Sequence, residues 1–167
     1  MKAVNTALLI IFSVALISTN FFVPKTRVFA QQIVSEEANK DFNRQLTCLT
    51  ENIYYEASFQ PYEGKLAVAQ ITVNRVNSGQ FPSDICNVVK QKTNGVCQFS
   101  WVCKIKSVIV NRYEWQEAEV IARKALTQES VHEALYNERV MFYHATYVHP
   151  DWKMKPIMKI GEHIFYK

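Results

Sequence analysis

The stretch CLTENIYYEASFQPYEGKLAVAQITVNRV, residues 48–76, contains two helical patterns separated by a turn. Apolar residues at helical spacing predict an amphipathic helix through LTCLTENIYYEA. These residues are Leu46, Leu49, Ile53 and Ala57. SFQPY interrupts the pattern, and Pro61 suits the first turn of a second helix over about residues 62–77. LAVAQITV makes this second helix apolar on nearly every side, so we expect it to be buried, with a strand as the alternative because of its β-branched residues.

The remaining elements are predicted to be short. Residues 78–103 contain several turn-forming residues, so we expect loops with one helix near 83–89, in a region where a site is often lined. Residues 114–128 predict another amphipathic helix. Two aromatic runs, VMFYHATYV and EHIFYK, predict β-strands on either side of HPDWKMKP. The expected fold class is α+β and mainly helical, a single domain with a small β element.

The N-terminus has the pattern of an export signal. Residues 1–30 contain Lys2, an apolar run from Ala7 to Ile17 and a small-residue exit that predicts cleavage after Ala30. A retained membrane anchor is the alternative, although the run is shorter than the ~20 residues that span a bilayer. Residues 31–40 are polar and predict a linker, so we expect the folded domain to cover residues 41–167.

The charge of the exported part does not favour nucleic-acid binding. Three of the 19 Lys and Arg residues lie in the signal, which leaves 16 basic against 15 acidic residues. Nucleic-acid binding draws most of its affinity from many phosphate contacts, which so balanced a domain is poorly suited to make. We expect a monomer with no membrane contact beyond the signal segment.

The four cysteines predict two disulfides, because all of them follow the signal and disulfides persist outside the cytosol. They are Cys48, Cys86, Cys97 and Cys103. Three connectivities are possible. A small loop across CQFSWVC would leave the first two cysteines to pair with each other. A four-cysteine zinc site is the alternative, but the chain has no C-x-x-C pair.

Three carboxylates flank the turn in the opening stretch, and the helical pattern separates them. At about 100° per residue, Glu56 falls beside Leu49 at the edge of the apolar stripe, whereas Glu51 points nearly opposite and is expected to be solvated. Partial burial raises the pKa of a carboxyl group and suits it to donate a proton. Glu63 lies in the first turn of the second helix, where an acidic residue is favourable. A structural carboxylate paired with an amide or Arg is the alternative for Glu56.

Several separated motifs resemble one known family. NIYYEASFQPYEGKLAVAQITVNRV, FPSDICNVV, CQFSWVC and MFYHATYVHPDW…IGEHIFYK, in this order, are similar to the SleB/CwlJ-type cell wall hydrolases. The resemblance covers about Leu46 to Lys167. It implies a lysozyme-like fold and cleavage of peptidoglycan between N-acetylmuramic acid and N-acetylglucosamine by a lytic transglycosylase.

The resemblance also assigns the acid. The first Glu of the family's E-A-R-G-E motif falls on Glu56, while Ser58, Phe59 and Gln60 stand where the motif has Arg, Gly and the second Glu. A single carboxylate is sufficient for a transglycosylase, because the C6 hydroxyl of muramic acid attacks within the substrate. We expect no cofactor and no metal.

Other polar and aromatic residues are candidates for contact with the glycan, since aromatic rings offer an apolar face to sugar C–H groups. The candidates are Glu63, Asn74, Gln98, Ser100, Trp101, Tyr143 and His144. Asn74 and Arg75 could hydrogen-bond substrate or hold Glu56, with structural capping or ion pairing as the alternative for Arg75. His144 could be a base, with a structural role as the alternative. Two other functions remain: a wall peptidase or amidase, although the four histidines lack H-E-x-x-H spacing, and a non-catalytic wall-binding module.

Overall fold

The computed structural model describes residues 25–104 and 109–167. The chain divides into two units, residues 1–35 and residues 36–167. Of the predicted signal, residues 1–24 lie outside the described residues. Residues 31–40, the predicted linker, are helical and form part of a helix that spans Lys25–Ala57. The side chains described there, 32–40, are exposed, so no buried face marks the helix in the sequence.

Six helices and five strands are present in the described residues. The helices are α1 (Lys25–Ala57), α2 (Tyr62–Asn77), α3 (Ile85–Val89), α4 (Ser100–Lys104), α5 (Arg112–Leu126) and α6 (Glu133–Asn137). The strands are β1 (Lys92–Thr93), β2 (Val96–Cys97), β3 (Phe142–Ala145), β4 (Pro156–Ile160) and β5 (His163–Tyr166). β1 and β2 form a hairpin, and the other three strands form an antiparallel sheet in the order β3-β5-β4.

The predicted α+β class, dominated by helices, is confirmed, but one hairpin, two short helices and one strand were not predicted. The β1–β2 hairpin, α4, α6 and β4 have no counterpart in the sequence prediction. The strands of the hairpin have two residues each, and α4 and α6 have five residues each, too few to show a period. β4 begins at Pro156 and has an exposed Lys159, features that usually argue against a strand but are tolerated at an edge.

Helix α2 lies between two hydrophobic clusters, which explains why it is apolar on nearly every side. Leu66 and Ala69 pack with α1, α3 and α5, whereas Ala67 and Ile71 pack with Leu135, Val140 and Phe165 beside the sheet. Tyr143 on β3 contacts both clusters. The end of α1 and the β-sheet are thus held in one packed unit. No helix in the described ranges has the length and apolar character needed to cross a membrane.

Both disulfides of the favoured pairing are present. Cys48 on α1 is bonded to Cys86 on α3 across 38 positions, with the Cα atoms 5.2 Å apart. Cys97 is bonded to Cys103 across six positions, with the Cα atoms 6.0 Å apart. The first bridge lies in the helical core, where both cysteines are buried. The second closes the CQFSWVC loop.

The two bridges should differ in their contribution to stability. A disulfide that closes a longer loop removes more entropy from the unfolded chain. We expect Cys48→Ala/Cys86→Ala to lose about 4 kcal/mol of unfolding free energy and Cys97→Ala/Cys103→Ala about 2 kcal/mol. Urea unfolding of the two double variants and the parent gives the comparison. Equal losses, or a larger loss for the short loop, would contradict this order.

Candidate active site

Glu56 lies in the last turn of α1, where two neighbouring cavities meet. The cavities have volumes of about 700 Å³ and about 460 Å³. Residues that line both of them are Tyr55, Glu56, Ala145, Tyr147 and His163. A chain molecule that occupied both cavities would therefore pass the Glu56 carboxyl group.

The environment of Glu56 favours its protonated form. Burial raises the pKa of this carboxyl group above its ordinary value. Two weaker influences act in the opposite direction: the Tyr143 hydroxyl donates a hydrogen bond to Glu56 Oε2 at 3.1 Å, and the positive charge of Arg75 favours the carboxylate. Burial also raises the pKa of Tyr143 well above its usual range, so this hydroxyl remains a donor. The group is thus suited to hold a proton and release it, with two stabilising partners for the resulting anion.

Arg75 supplies a fixed positive charge to this site. Its Nε donates to the carbonyl oxygen of Met141 at 2.8 Å, and its guanidinium lies over the rings of Phe81 and Phe99 at 5.1 and 5.3 Å from their centroids. Its Nη1 atom is buried and has no hydrogen-bond partner among the described residues. Burial lowers the pKa of Arg75, whereas Tyr143 and Glu56 raise it. The guanidinium lines the smaller cavity and is held there by packing.

The larger cavity is bounded by segments that polar contacts hold in place. The hydroxyl of Tyr54 accepts hydrogen bonds from the backbone N–H groups of Val110 and Asn111, each at 3.0 Å. Buried Lys65 on α2 pairs with Glu114 at the start of α5, which also lines this cavity. These contacts position the N-terminal end of α5 as one wall.

The turn between β4 and β5 meets the turn between α1 and α2 at the same cavity. Gln60 Oε1 accepts the backbone N–H of Glu162 at 2.8 Å. Gly161, with φ of +55°, passes so close that an added Cβ would stand 2.2 Å from that oxygen. A side chain at this position would break the contact, so the glycine allows the two turns to meet.

The disulfide loop forms part of the smaller cavity through Gln98 and Ser100. It is anchored by Trp101, whose indole Nε1 donates to Asn52 Oδ1 at 3.2 Å, while Asn52 Nδ2 donates to Thr72 Oγ1 at 3.1 Å. Trp101 also stacks on the ring of Tyr55. This buried network joins α1, α2 and α4.

The structure brings five of the predicted site residues together and separates three. Glu56, Gln98, Ser100, Tyr143 and His144 line the smaller cavity. His144 bonds to the carbonyl oxygen of Ala145 and to the hydroxyl of Tyr166, each at 2.9 Å, so both its ring nitrogens are already engaged.

Glu63, Asn74 and Trp101 line neither cavity, so the prediction that they contact substrate is not supported by their positions. Glu63 is exposed in the first turn of α2, and Trp101 is buried beside the site. Asn74 Nδ2 donates to the carbonyl oxygens of Leu135 and Val140, and Asn74 lines a different cavity of about 470 Å³. Its amide is held by the fold.

At two further residues, Glu51 and His163, the structure differs from the sequence prediction. The expectation of a solvated Glu51 is wrong, because this residue is partly buried and burial raises its pKa; it lies outside both cavities. His163 was not selected from the sequence, yet it is buried, lines both cavities, and has its pKa lowered by burial. The only feature of the sequence that pointed to His163 was its position in EHIFYK, a predicted strand. In the described ranges no three His, Cys, Asp or Glu side chains are grouped as metal ligands.

One protein-family model matches most of the chain, and two curated proteins are similar to it. Residues 59–166 match the family described as Cell Wall Hydrolase, a match that begins three positions after Glu56. Two curated relatives are spore cortex-lytic enzymes. The enzyme of Bacillus subtilis is 26% identical to this chain over 74% of its length, and the enzyme of Oceanobacillus iheyensis is 28% identical over 69%. The chain spans only 37% and 38% of the length of these two relatives.

Two solved structures share the fold. The catalytic domain of the germination-specific lytic transglycosylase SleB from Bacillus anthracis superposes with a TM-score of 0.60 at 23% identity, covering 74% of this chain and 93% of that domain. The catalytic domain of the Bacillus cereus SleB protein superposes with a TM-score of 0.55 at 25% identity, covering 74% and 91%. The predicted lysozyme-like fold is therefore confirmed.

The hydrogen bond from Tyr143 gives a prediction about pH dependence. Because this bond stabilises the carboxylate, Tyr143→Phe should raise the pKa of Glu56 further. If Glu56 is a general acid, activity is lost as pH rises through its pKa, so the alkaline limb of kcat/KM on purified sacculi should move to higher pH. Tyr166→Phe is the control, since it removes a hydroxyl from the same sheet that bonds to His144 instead of Glu56. A shift to lower pH in Tyr143→Phe would contradict the account.

Proposed function

The chain belongs to the cell wall hydrolase family, and on that premise we propose that it cleaves peptidoglycan glycan strands between N-acetylmuramic acid and N-acetylglucosamine, as a lytic transglycosylase with Glu56 as its acid. The observation that carries this proposal is the partly buried Glu56 carboxyl at the junction of two cavities, beside the Tyr143 hydroxyl and the Arg75 charge.

The geometry suits a single carboxyl group that acts twice. Protonated Glu56 gives its proton to the glycosidic oxygen as the bond from that oxygen to C1 of muramic acid breaks. The C6 hydroxyl of the same sugar then bonds to C1, and its proton returns to the Glu56 carboxylate. No water is consumed, and the product is a 1,6-anhydro end. Between the two steps the carboxylate is stabilised by the Tyr143 hydrogen bond and by Arg75.

Ordinary hydrolysis is the second candidate, because two more carboxylates line the larger cavity. A conventional glycosidase uses a second carboxylate to activate water or to form a covalent intermediate. Glu114 is paired with Lys65, whereas Glu162 lies in the β4–β5 turn. Glu162 is therefore the better candidate for that second role.

Export to the wall fits the same proposal. Two disulfides and a signal pattern in residues 1–30 both favour an oxidising location, periplasmic, in the wall or extracellular. The protein acts there as a monomer on glycan strands, without nucleic acid or cofactor, and any membrane contact is through the signal segment.

Replacement of the proposed acid should abolish turnover while preserving the fold. Gln has nearly the shape of Glu but cannot supply a proton, so Glu56→Gln should lower the rate of sacculus digestion by at least ~10²–10⁴-fold. Glu51→Gln is a matched control on the same helix, because Glu51 is also partly buried with a raised pKa but lies outside both cavities. It should retain near-parental activity. Folded Glu56→Gln protein that digests sacculi at the parental rate would refute the assignment.

The ends of the released fragments distinguish the two chemistries. Mass spectrometry of muropeptides from purified sacculi should find 1,6-anhydro muramic ends. Reducing muramic ends, together with inactivity of Glu162→Gln, would instead support the two-carboxylate hydrolase. Free peptides with intact glycan would indicate a peptidase or amidase, and binding without any product would indicate a wall-binding module.

A further inference from the structure

Phe59 has an exposed side chain at the edge of the candidate active site. It lies in the turn between α1 and α2, three residues after Glu56, with 96% of its surface accessible, and it lines the larger cavity. A ring with this exposure makes almost no contact with the core and contributes little to folding. A single exposed apolar side chain is common on protein surfaces, but several that line one cavity indicate a binding surface.

The residues on either side of Phe59 fix the turn that carries it. The hydroxyl of Ser58 donates to the carbonyl oxygen of Tyr54, and Gln60 accepts the backbone N–H of Glu162. The backbone that presents the ring is thus tied to α1 on one side and to the β4–β5 turn on the other. Because the backbone of the turn is already fixed, only the rotamer of the ring has to be ordered when a ligand binds, which lowers the entropic cost.

Two other highly exposed apolar side chains line the same cavity. Tyr147, which follows β3, is 79% exposed, and Val110, which precedes α5, is 87% exposed. The three come from separate parts of the chain, and polar residues line the cavity with them, among them Gln60, Asn111 and Glu162. An apolar surface interspersed with hydrogen-bonding groups matches a pyranose ring, which has C–H faces and a rim of hydroxyl and acetamido groups.

We propose that Phe59, together with Tyr147, forms a sugar-stacking platform that binds a glycan residue beyond the cleaved bond and makes this chain prefer longer strands. The proposal rests on the proposed function, because it assigns the larger cavity to the same glycan that Glu56 cleaves. The platform extends the binding site along the larger cavity, away from the Glu56 carboxyl group. Phe59 is a specificity-determining residue and takes no part in proton transfer.

The test separates binding from chemistry with peptide-free oligosaccharides of the N-acetylglucosamine–N-acetylmuramic acid repeat, in short and long forms. Phe59→Ala should raise the KM for long oligosaccharides about 10-fold. The KM for short oligosaccharides, kcat and Tm should all stay near the parental values. Phe59→Trp keeps an aromatic ring at this position, so its KM for long oligosaccharides should stay near the parental value. Tyr136→Ala is the matched control: Tyr136 is an exposed aromatic residue that lines the cavity of Asn74 instead, so its KM should not change.

The same substitution in an inactive background keeps this test distinct from that of the proposed function. Sedimentation with purified sacculi should show that Glu56→Gln binds and that Glu56→Gln/Phe59→Ala binds about 10-fold more weakly. If the parental protein cleaves no glycan, the proposed function fails, and this binding comparison still decides the platform. Equal binding by the two variants, an unchanged KM in Phe59→Ala, or a fall in Tm that accompanies the change in KM would overturn the inference.

Discussion

The burial of α2 on all sides is the constraint on which the site depends. One face of this helix packs with α1, α3 and α5, and another packs with the residues beside the β-sheet. Because the two clusters share α2, the last turn of α1 is brought to β3, and Glu56 reaches the hydroxyl of Tyr143. Arg75, near the end of α2, joins them with its guanidinium fixed by Met141 and two aromatic rings. The acid, its hydrogen-bond donor and its neighbouring cation thus come from three elements that one core holds together.

This arrangement places opposing influences on one carboxyl group, and their balance determines its chemistry. Burial favours the protonated form and dominates, so the pKa of Glu56 is raised. Tyr143 and Arg75 favour the anion and limit that rise. Without burial the pKa of the carboxyl would lie closer to its ordinary value, and without its two partners the pKa would be higher still. The proposed role of Glu56, in which it first donates a proton and then accepts one, makes use of both influences.

Much of the fold followed from periodicity, whereas the site followed only in part. The long apolar patterns of α1 and α2 predicted helices and placed Glu56 at a boundary, because burial of one face leaves a regular trace in the sequence. The hairpin, α4 and α6 were missed because elements of two to five residues are too short to show a period, and β4 was missed because it begins at Pro156 and has an exposed Lys159. A different limitation affected side chains: Asn74 and Trp101 have residue types that suit sugar binding, but their polar atoms bond to Leu135, Val140 and Asn52. His163 gave no distinguishing pattern, since its position between the cavities arises from the pairing of β5 with β3.

The raised pKa of Glu56 is the central claim, and a ¹³C NMR titration of the side-chain carboxyl groups measures it directly. Comparison of the parental spectrum with that of Glu56→Gln identifies the resonance that belongs to Glu56. We predict a titration midpoint for Glu56 above about 4.3, the pKa of an unperturbed glutamate side chain. A midpoint at or below this ordinary value would show that burial does not raise the pKa of Glu56, and would contradict its proposed role as the proton donor.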